Sequence, residues 1–258
     1  MKLSGKIAIV SGGNRGIGRA IALELAREGA GVVVTARDEA LLAAAVKEVE
    51  AAGGKGLAVA CDLRTPEAAA KVVEAAVAEF GRLDVLVNNA GATKRGDFLS
   101  LRDEDFLDGF ALKFFGAVRL TREAWPHLKK SSGSIVNIAG SGGRTPGANF
   151  TIGGPVNAAM QSFTKALSDK GIRDGVQVNA INPGRVRTAR FATLLQEKAA
   201  ERGVSTAEAE EIICREEFFS KVGEPEDIAA LVAFVVSRHG RFIQGAMLDA
   251  DGGSTKTL

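Results

Sequence analysis

Residues Ser11-Gly12-Gly13-Asn14-Arg15-Gly16-Ile17-Gly18 follow directly on a short apolar run at 6–10. A helical pattern over 16–28 opens before the glycines have ended. A strand that turns through glycines into a helix is built to receive a pyrophosphate. The glycines let the backbone turn tightly and approach a phosphate closely, and the helix N-terminus offers free N–H groups and the positive end of its dipole. Glycines alone are weak evidence, since any strand-to-helix turn can need one, so the segments on either side must agree.

They do agree. Short β-rich runs at 31–35, 56–60, 83–88, 134–138, 176–181 and 246–250 join the first strand, and several are nearly continuously apolar. Such runs fit strands covered on both faces. Amphipathic segments at 39–52, 66–80, 104–129, 155–170 and 225–237 lie between them. Alternating strand and helix predicts parallel strands with right-handed crossovers, hence a doubly wound α/β sheet of seven strands with helices on both faces. The one break in the rhythm is 188–222, helical in pattern without a strand, which reads as a substrate-covering lid or, more simply, as a surface helical hairpin. With 258 residues, one domain over 1–258 suffices.

Composition narrows the function classes. Lys and Arg total 33 against 31 Asp and Glu, so no general field attracts nucleic acid or an anionic membrane. The longest apolar run, 228–236, is far short of the roughly 20 residues that span a bilayer. The start of the chain lacks the pattern of a signal peptide. Cys61 and Cys214 have neither metal-ligand nor redox spacing and read as buried, inert thiols of a cytoplasmic protein. No metal site is expected. His127 and His239 match no motif and read as structural or solvated.

The loop 11–18 resembles the TGxxxGIG loop of the short-chain dehydrogenase/reductase family, with Ser11 in place of Thr. Asn88-Asn89-Ala90-Gly91 is similar to that family's NNAG segment after the fourth strand. Asp62-Leu63 matches its adenine-contacting pair, Pro183-Gly184-Arg185-Val186-Arg187-Thr188 its PGxxxT segment beside the nicotinamide, and Asp251-Gly252-Gly253 its DGG near the C-terminus. The landmarks fall in the family's order over essentially the whole chain. The resemblance implies a Rossmann-type fold, a nicotinamide cofactor, a small-molecule substrate, and a homotetramer or homodimer built on two long helices. It assigns cofactor contacts to Gly12, Asn14, Arg15, Gly16, Ile17, Gly18, Asp62, Leu63, Asn89, Ala90, Gly91, Asn157, Pro183, Gly184, Val186 and Thr188.

Cofactor choice turns on the end of the second strand, where NAD-specific sites place a carboxylate on the ribose hydroxyls. Ala36 stands there, followed by Arg37, and Arg15 lies within the glycine loop. Two guanidinium groups suit a 2′-phosphate, which points to NADP(H).

The catalytic positions are rewritten. The resembled family uses Asn, Ser, Tyr and Lys, with Tyr and Lys on one helix as YxxxK. Matching Val136-Asn137-Ile138 and Asn157-Ala158-Ala159 to its pattern puts Gly140 at the Ser position, Gly153 at the Tyr position and Asn157 at the Lys position. Lys113, three residues before Gly116, stands at the Asn position. The chain contains no tyrosine at all. Glycine can neither donate a proton nor stabilise an oxyanion through a side chain. Lys113, flanked by Ala111, Leu112, Phe114 and Phe115, is the first candidate acid, base or Schiff-base nucleophile, since burial lowers a lysine's pKa. Its plain alternative is a lysine reaching to solvent or to a partner subunit. Asn157 can still bond ribose hydroxyls. Ser141 and Thr151 are possible substitute hydroxyls, and Lys94 and Arg144 possible anion binders. Gly153-Gly154-Pro155 predicts a delayed helix with Pro155 at its first position, and hence a wider, more flexible site. Arg187, Arg190, Phe191 and Phe218 permit an anionic or amphipathic ligand.

Three readings stay open on the residues: an NADP(H)-dependent oxidoreductase with a non-standard proton source, a non-catalytic NADP(H)-binding sensor or partner subunit, and a lyase or isomerase working through a Lys113 Schiff base.

Overall fold

The computed structural model describes residues 2–257. The strands are β1 (Ile7–Ser11), β2 (Gly31–Ala36), β3 (Gly56–Ala60), β4 (Val85–Asn88), β5 (Ser134–Ile138), β6 (Gln177–Pro183) and β7 (Met247–Ala250). They form one sheet in the order β3-β2-β1-β4-β5-β6-β7, with every pairing parallel. The expected seven-stranded, doubly wound Rossmann-type sheet is therefore present. β1, β4, β5 and β6 are buried along their whole length, which is why their sequences run apolar without alternation.

The helices are α1 (Gly16–Arg27), α2 (Glu39–Ala51), α3 (Ala68–Phe80), α4 (Asp103–Gly109), α5 (Gly116–Ser131), α6 (Gly153–Asp174), α7 (Ala189–Arg202), α8 (Thr206–Glu216) and α9 (Pro225–Val236). One core lies between the sheet and α1, α2 and α9, around Ile21, Leu25, Leu42, Val49 and Val232. The other lies under α3 and α5, around Val72, Leu120 and Leu128, with Leu167 of α6 packed against it. Segment 188–222 folds as the α7–α8 hairpin with a small core of its own, including Phe191, Leu195, Ala209 and Ile213. The chain runs outward from β1 through β2 to β3, then returns to β4 on the other side of β1, so the order reverses there. Ligands of open α/β sheets bind in the crevice at such a switch point.

Three expectations need correction. The helix predicted over 104–129 is interrupted by a π-helical turn, Phe110–Phe115, between α4 and α5. Hydrophobic periodicity does not reveal one extra residue in a turn. The helix carrying Gly153-Gly154-Pro155 is not delayed: α6 starts at Gly153, with Pro155 in its first turn rather than at its first position. Burial of Gly153 and Gly154 against neighbouring side chains holds that turn helical. The two free thiols are half-buried rather than buried. Cys61 lies just past β3, with Sγ 3.1 Å from Thr35 Oγ1, and Cys214 lies on α8, where burial raises its pKa.

The start of β4 is tied to β1 through one carboxylate. Asp84 is buried and accepts from Ile7 N (3.0 Å), Lys6 Nζ (3.1 Å) and both Nε and Nη2 of Arg82 (2.8 and 2.7 Å). Burial alone would raise its pKa, but the bonds from Arg82, Ile7 and Lys6 hold it below the ordinary value. A depressed carboxylate contributes stability that is present above its unfolded pKa and is lost as pH falls through the folded one. Asp84→Asn is expected to lower stability at pH 7 by about 1–3 kcal/mol and to flatten the loss of stability below about pH 4, both read from urea titrations across pH.

Candidate active site

The glycine loop is braced from the adjoining strand. Ser11 Oγ accepts from the backbone N–H groups of Asn89 and Ala90 (2.9 and 3.0 Å), and Asn89 Nδ2 donates to the carbonyls of Ser11 and Gly12 (2.9 and 3.3 Å). The loop after β4 thus holds the loop after β1. Gly12 and Gly16 have φ of +65° and +54°, where a side chain is strained. A Cβ on Gly18 would lie 2.2 Å from the Gly12 carbonyl oxygen. Asn14, Arg15 and Ile17 stand on the same turn, with Arg15 exposed.

Arg37 follows β2 and is exposed, its Nη1 4.0 Å from Asp62. The nearby Asp38 carboxylate is used locally: it caps α2 by accepting from Leu41 N at 3.0 Å. Asp62 also accepts from Arg64. The Leu63 side chain is buried in the core under α3 and α5, so its backbone is what it can offer a ligand. On the far side, a Cβ on Gly184 would lie 2.7 Å from Asp251 Cα, which explains why Gly184 meets the Asp251-Gly252-Gly253 turn so closely. Pro183 ends β6, and Val186 is buried and bridges to Gly223. Thr188 Cγ2 lies 3.3 Å from where a Cβ of Gly16 would stand, so the root of the hairpin touches the glycine loop.

Lys113 stands between the β5 end and α6. It sits in the π-helical turn, an element often found at functional sites. Phe114 anchors that turn against Phe163 of α6, with ring centroids 5.9 Å apart. The Lys113 stem lies across Gly91, where a Cβ would come 2.8 Å from Lys113 Cδ. Its Nζ donates to the Ala139 carbonyl at 2.5 Å and to Asn157 Oδ1 at 2.6 Å. The lysine therefore reaches inward, not to solvent. Its pKa is lowered to about 7, first by burial and then by the charge of Arg190. An ammonium carries three protons and two are taken here, so one remains for a ligand. In the neutral amine the remaining site is a lone pair.

The glycines around it are tied to their neighbours. Gly140 has φ +132°, and a Cβ there would strike Asn157 Nδ2 at 2.8 Å. Over Gly153 lies the ring of Phe150, two of whose carbons stand 2.0 Å from where a Cβ would be. The same ring limits Gly142, at 2.8 Å. Phe150 therefore fills the volume that Gly153 leaves, and the widened site expected there is not present. Ser141 opens a single 3₁₀ turn, Ser141–Gly143, beside Gly140. Thr151 Oγ1 is buried without a hydrogen-bond partner among the described residues.

The charged candidates sort themselves. Lys94 pairs with Asp105 (3.0 Å) and Arg144 with Asp249 (2.7 Å). Arg187 clamps the hairpin through Glu210 and Glu224 (2.7 and 2.9 Å). Phe191 is buried in the hairpin, while Phe218 is exposed. Arg190 donates to the Thr93 carbonyl at 2.8 Å. The sequence reading overlooked Arg95, whose guanidinium stacks 4.2 Å over Phe150. It also overlooked Phe150 itself. Neither belongs to a motif, and only the tertiary fold brings them over Gly153. An open depression of about 690 Å³ lined by Arg187, Glu210 and Cys214 includes neither Lys113 nor Asn157. Among the described residues, no group of three or more side chains could hold a metal, and no helix is long and apolar enough to cross a membrane.

A family model described as enoyl-(acyl carrier protein) reductase matches residues 12–255. An uncharacterized oxidoreductase of Mycobacterium tuberculosis is 34% identical over 256 residues, 98% of this chain and 94% of that protein. The L-sorbose reductase of Gluconobacter frateurii, solved with NADPH and L-sorbose, superposes with a TM-score of 0.94 at 32% identity over the full length of both chains. An actinorhodin polyketide ketoreductase solved with NADPH gives a TM-score of 0.92 at 32% identity, covering 100% of this chain and 99% of that one.

The packing of Phe150 on Gly153 predicts that a tyrosine at position 153 is not accommodated. Gly153→Tyr should lower stability by about 1–3 kcal/mol through overpacking. Adding Phe150→Ala should recover most of the loss. Thermal melts of the single and double variants check this.

Proposed function

The chain belongs to the short-chain dehydrogenase/reductase family, and we propose that it is an NADP(H)-dependent oxidoreductase of a carbonyl or alcohol substrate whose proton passes through Lys113. The observation that carries this reading is the Lys113 amine, fixed between the Ala139 carbonyl and Asn157 with a pKa of about 7. The glycine cradle fits a dinucleotide, since Gly12 and Gly16 hold left-handed backbone and a Cβ at Gly18 would strike the loop itself. Bound NADPH would supply the hydride.

The chain's own residues supply the rest. Lys113 and Asn157 have exchanged places relative to the family's Asn and Lys, yet remain in contact. The amine thus still lies beside position 157, now rooted on the opposite helix. Asn157 turns Oδ1 to the amine, which leaves its Nδ2 to donate to a ribose hydroxyl. In the reduction direction the ammonium holds its third proton for the substrate oxygen. In the oxidation direction the neutral amine accepts that proton. Ser141 is a second hydroxyl at the site's edge. Arg15 and Arg37 bind the 2′-phosphate by charge-assisted bonds. The α7–α8 hairpin covers the substrate, because its root touches Gly16 and Arg190 reaches across to the β4 loop. Exposed Leu107 and Phe115, on and just after α4, suit assembly into a homodimer or homotetramer.

A second reading, a non-catalytic NADP(H)-binding sensor, is favoured by one observation: Phe150 fills the volume over Gly153 with an apolar ring. Transfer of deuterium from C4-labelled NADPH to a carbonyl substrate separates the two, since the sensor binds the cofactor without transfer.

With Lys113 as donor, reduction should fall as pH rises through about 7, and oxidation should rise over the same range. Lys113→Met should remove that inflection and lower kcat about 10²–10⁴-fold. A pH–rate profile that is unchanged in the variant would refute the role. Arg37→Ala should weaken NADPH binding on the order of 10- to 100-fold while leaving NADH binding nearly unchanged, measured by calorimetry.

A further inference from the structure

Basic residues around the crevice fall into two groups. Lys94, Arg144, Arg185 and Arg187 each have a carboxylate within salt-bridge distance. Arg95 and Arg190 have none among the described residues. Arg190 donates to the Thr93 carbonyl, and Arg95 lies over the face of Phe150. These two come from separate elements, the loop after β4 and the first turn of α7, and the Arg190–Thr93 bond brings those elements together.

The arrangement is electrostatically unfavourable as it stands. Although Arg95 is exposed as a whole residue, protein crowds its guanidinium. Its pKa falls to about 10, through desolvation first and then repulsion from Arg185 and Arg190, with weaker opposition from Glu217 and Glu197. Arg190 is lowered by desolvation and by Arg185. Arg190 also repels Lys113. All three remain cationic or partly cationic at neutral pH. Positive groups held together in a crevice with no carboxylate at salt-bridge distance are poised for an anion.

The floor of this group is rigid. Phe150 is wedged over Gly153 and Gly142, so the ring that carries Arg95 cannot drop toward α6. The guanidinium is thereby held on the outer face of that ring. Guanidinium groups favour planar oxyanions, which they bind through paired, charge-assisted bonds.

We propose that Arg95 and Arg190 form an oxyanion-binding subsite, and that the substrate carries an anionic group, carboxylate, phosphate or sulfonate, beyond its reacting carbonyl. The subsite rests on the reading of this crevice as the substrate site, but it does not require that hydride transfer occur. It accounts for Arg95 standing over Phe150, the ring that fills the volume over Gly153. There they place a cation where the substrate tail passes, at the cost of the hydroxyl the family normally carries. An uncharged ketone gains nothing from it.

The test uses the full chain saturated with NADP⁺ and three probes: phenylglyoxylate, inorganic phosphate and methanesulfonate, with methyl phenylglyoxylate as the uncharged control. Calorimetry should show binding of at least one anion, tighter than the ester by about tenfold or more, and the preferred anion names the source. Arg95→Met and Arg190→Met should each weaken that binding about tenfold, with melting temperature and NADPH affinity close to those of the parent. Binding of none of the three anions, binding of none of them more tightly than the ester, or anion affinity unchanged in both variants would overturn the proposal. So would loss of NADPH affinity in either variant, because the arginines would then serve the cofactor's phosphates. Failure of the oxidoreductase reading gives a different result: anions bind and the variants lose them, yet no deuterium is transferred from labelled NADPH.

Discussion

A primary amine taken out of water must find acceptors for its protons or give one up. Lys113 does both in part. The Ala139 carbonyl, just past the end of β5, and the Asn157 amide on α6 accept two protons, and burial brings the third within reach of release near neutral pH. Much of the crevice is shaped around that amine. Gly91 has no side chain because the lysine stem lies on it, and Gly140 has none because the Asn157 amide stands in its way. The π-helical turn and its Phe114–Phe163 contact set the height at which the amine enters.

These residues depend on one another. Lys113 on the π-helical turn and Asn157 on α6 hold one cation and one amide in contact. The Asn157 amide is thereby directed at the volume a side chain on residue 140 would need. Gly153 leaves a space on α6 that a packed interior does not leave empty, and the Phe150 ring fills it. A change at any one of them alone would cost packing or strand a polar group.

Much of the fold was legible because its signals are local and repeated. The buried strands read as apolar runs, the crossover helices read at their own period, and the glycine loop joined one to the other. The glycine cradle was legible for the same reason, since Gly12, Gly16, Asn89 and Gly184 are set by contacts with nearby backbone, close to their motifs. What stayed hidden was tertiary. Nothing local marks the extra residue in the turn at 110–115, because hydrophobic spacing tolerates a shift of one. Nothing marks Phe150 as the residue that fills the space over Gly153, or Arg95 as the cation above it. Lys94 and Arg144 looked equally suited to an anion. Only the positions of Asp105 and Asp249, the latter 105 residues from Arg144, reveal that they are already paired.

The π-helical turn separates two requirements that a regular helix would bind together. One surplus residue lets α5 keep Leu120, Ala124 and Leu128 locked under the sheet while the preceding segment is aimed independently. Each residue of an α-helix advances about 100°. Excising that surplus residue would swing the α4 side of the helix by about this angle against an unmoved α5. The core would hardly register the loss, but the amine would leave the crevice. The position of the Lys113 amine is thus written in the register of one helix, where a single-codon insertion or deletion can shift it without rebuilding the domain.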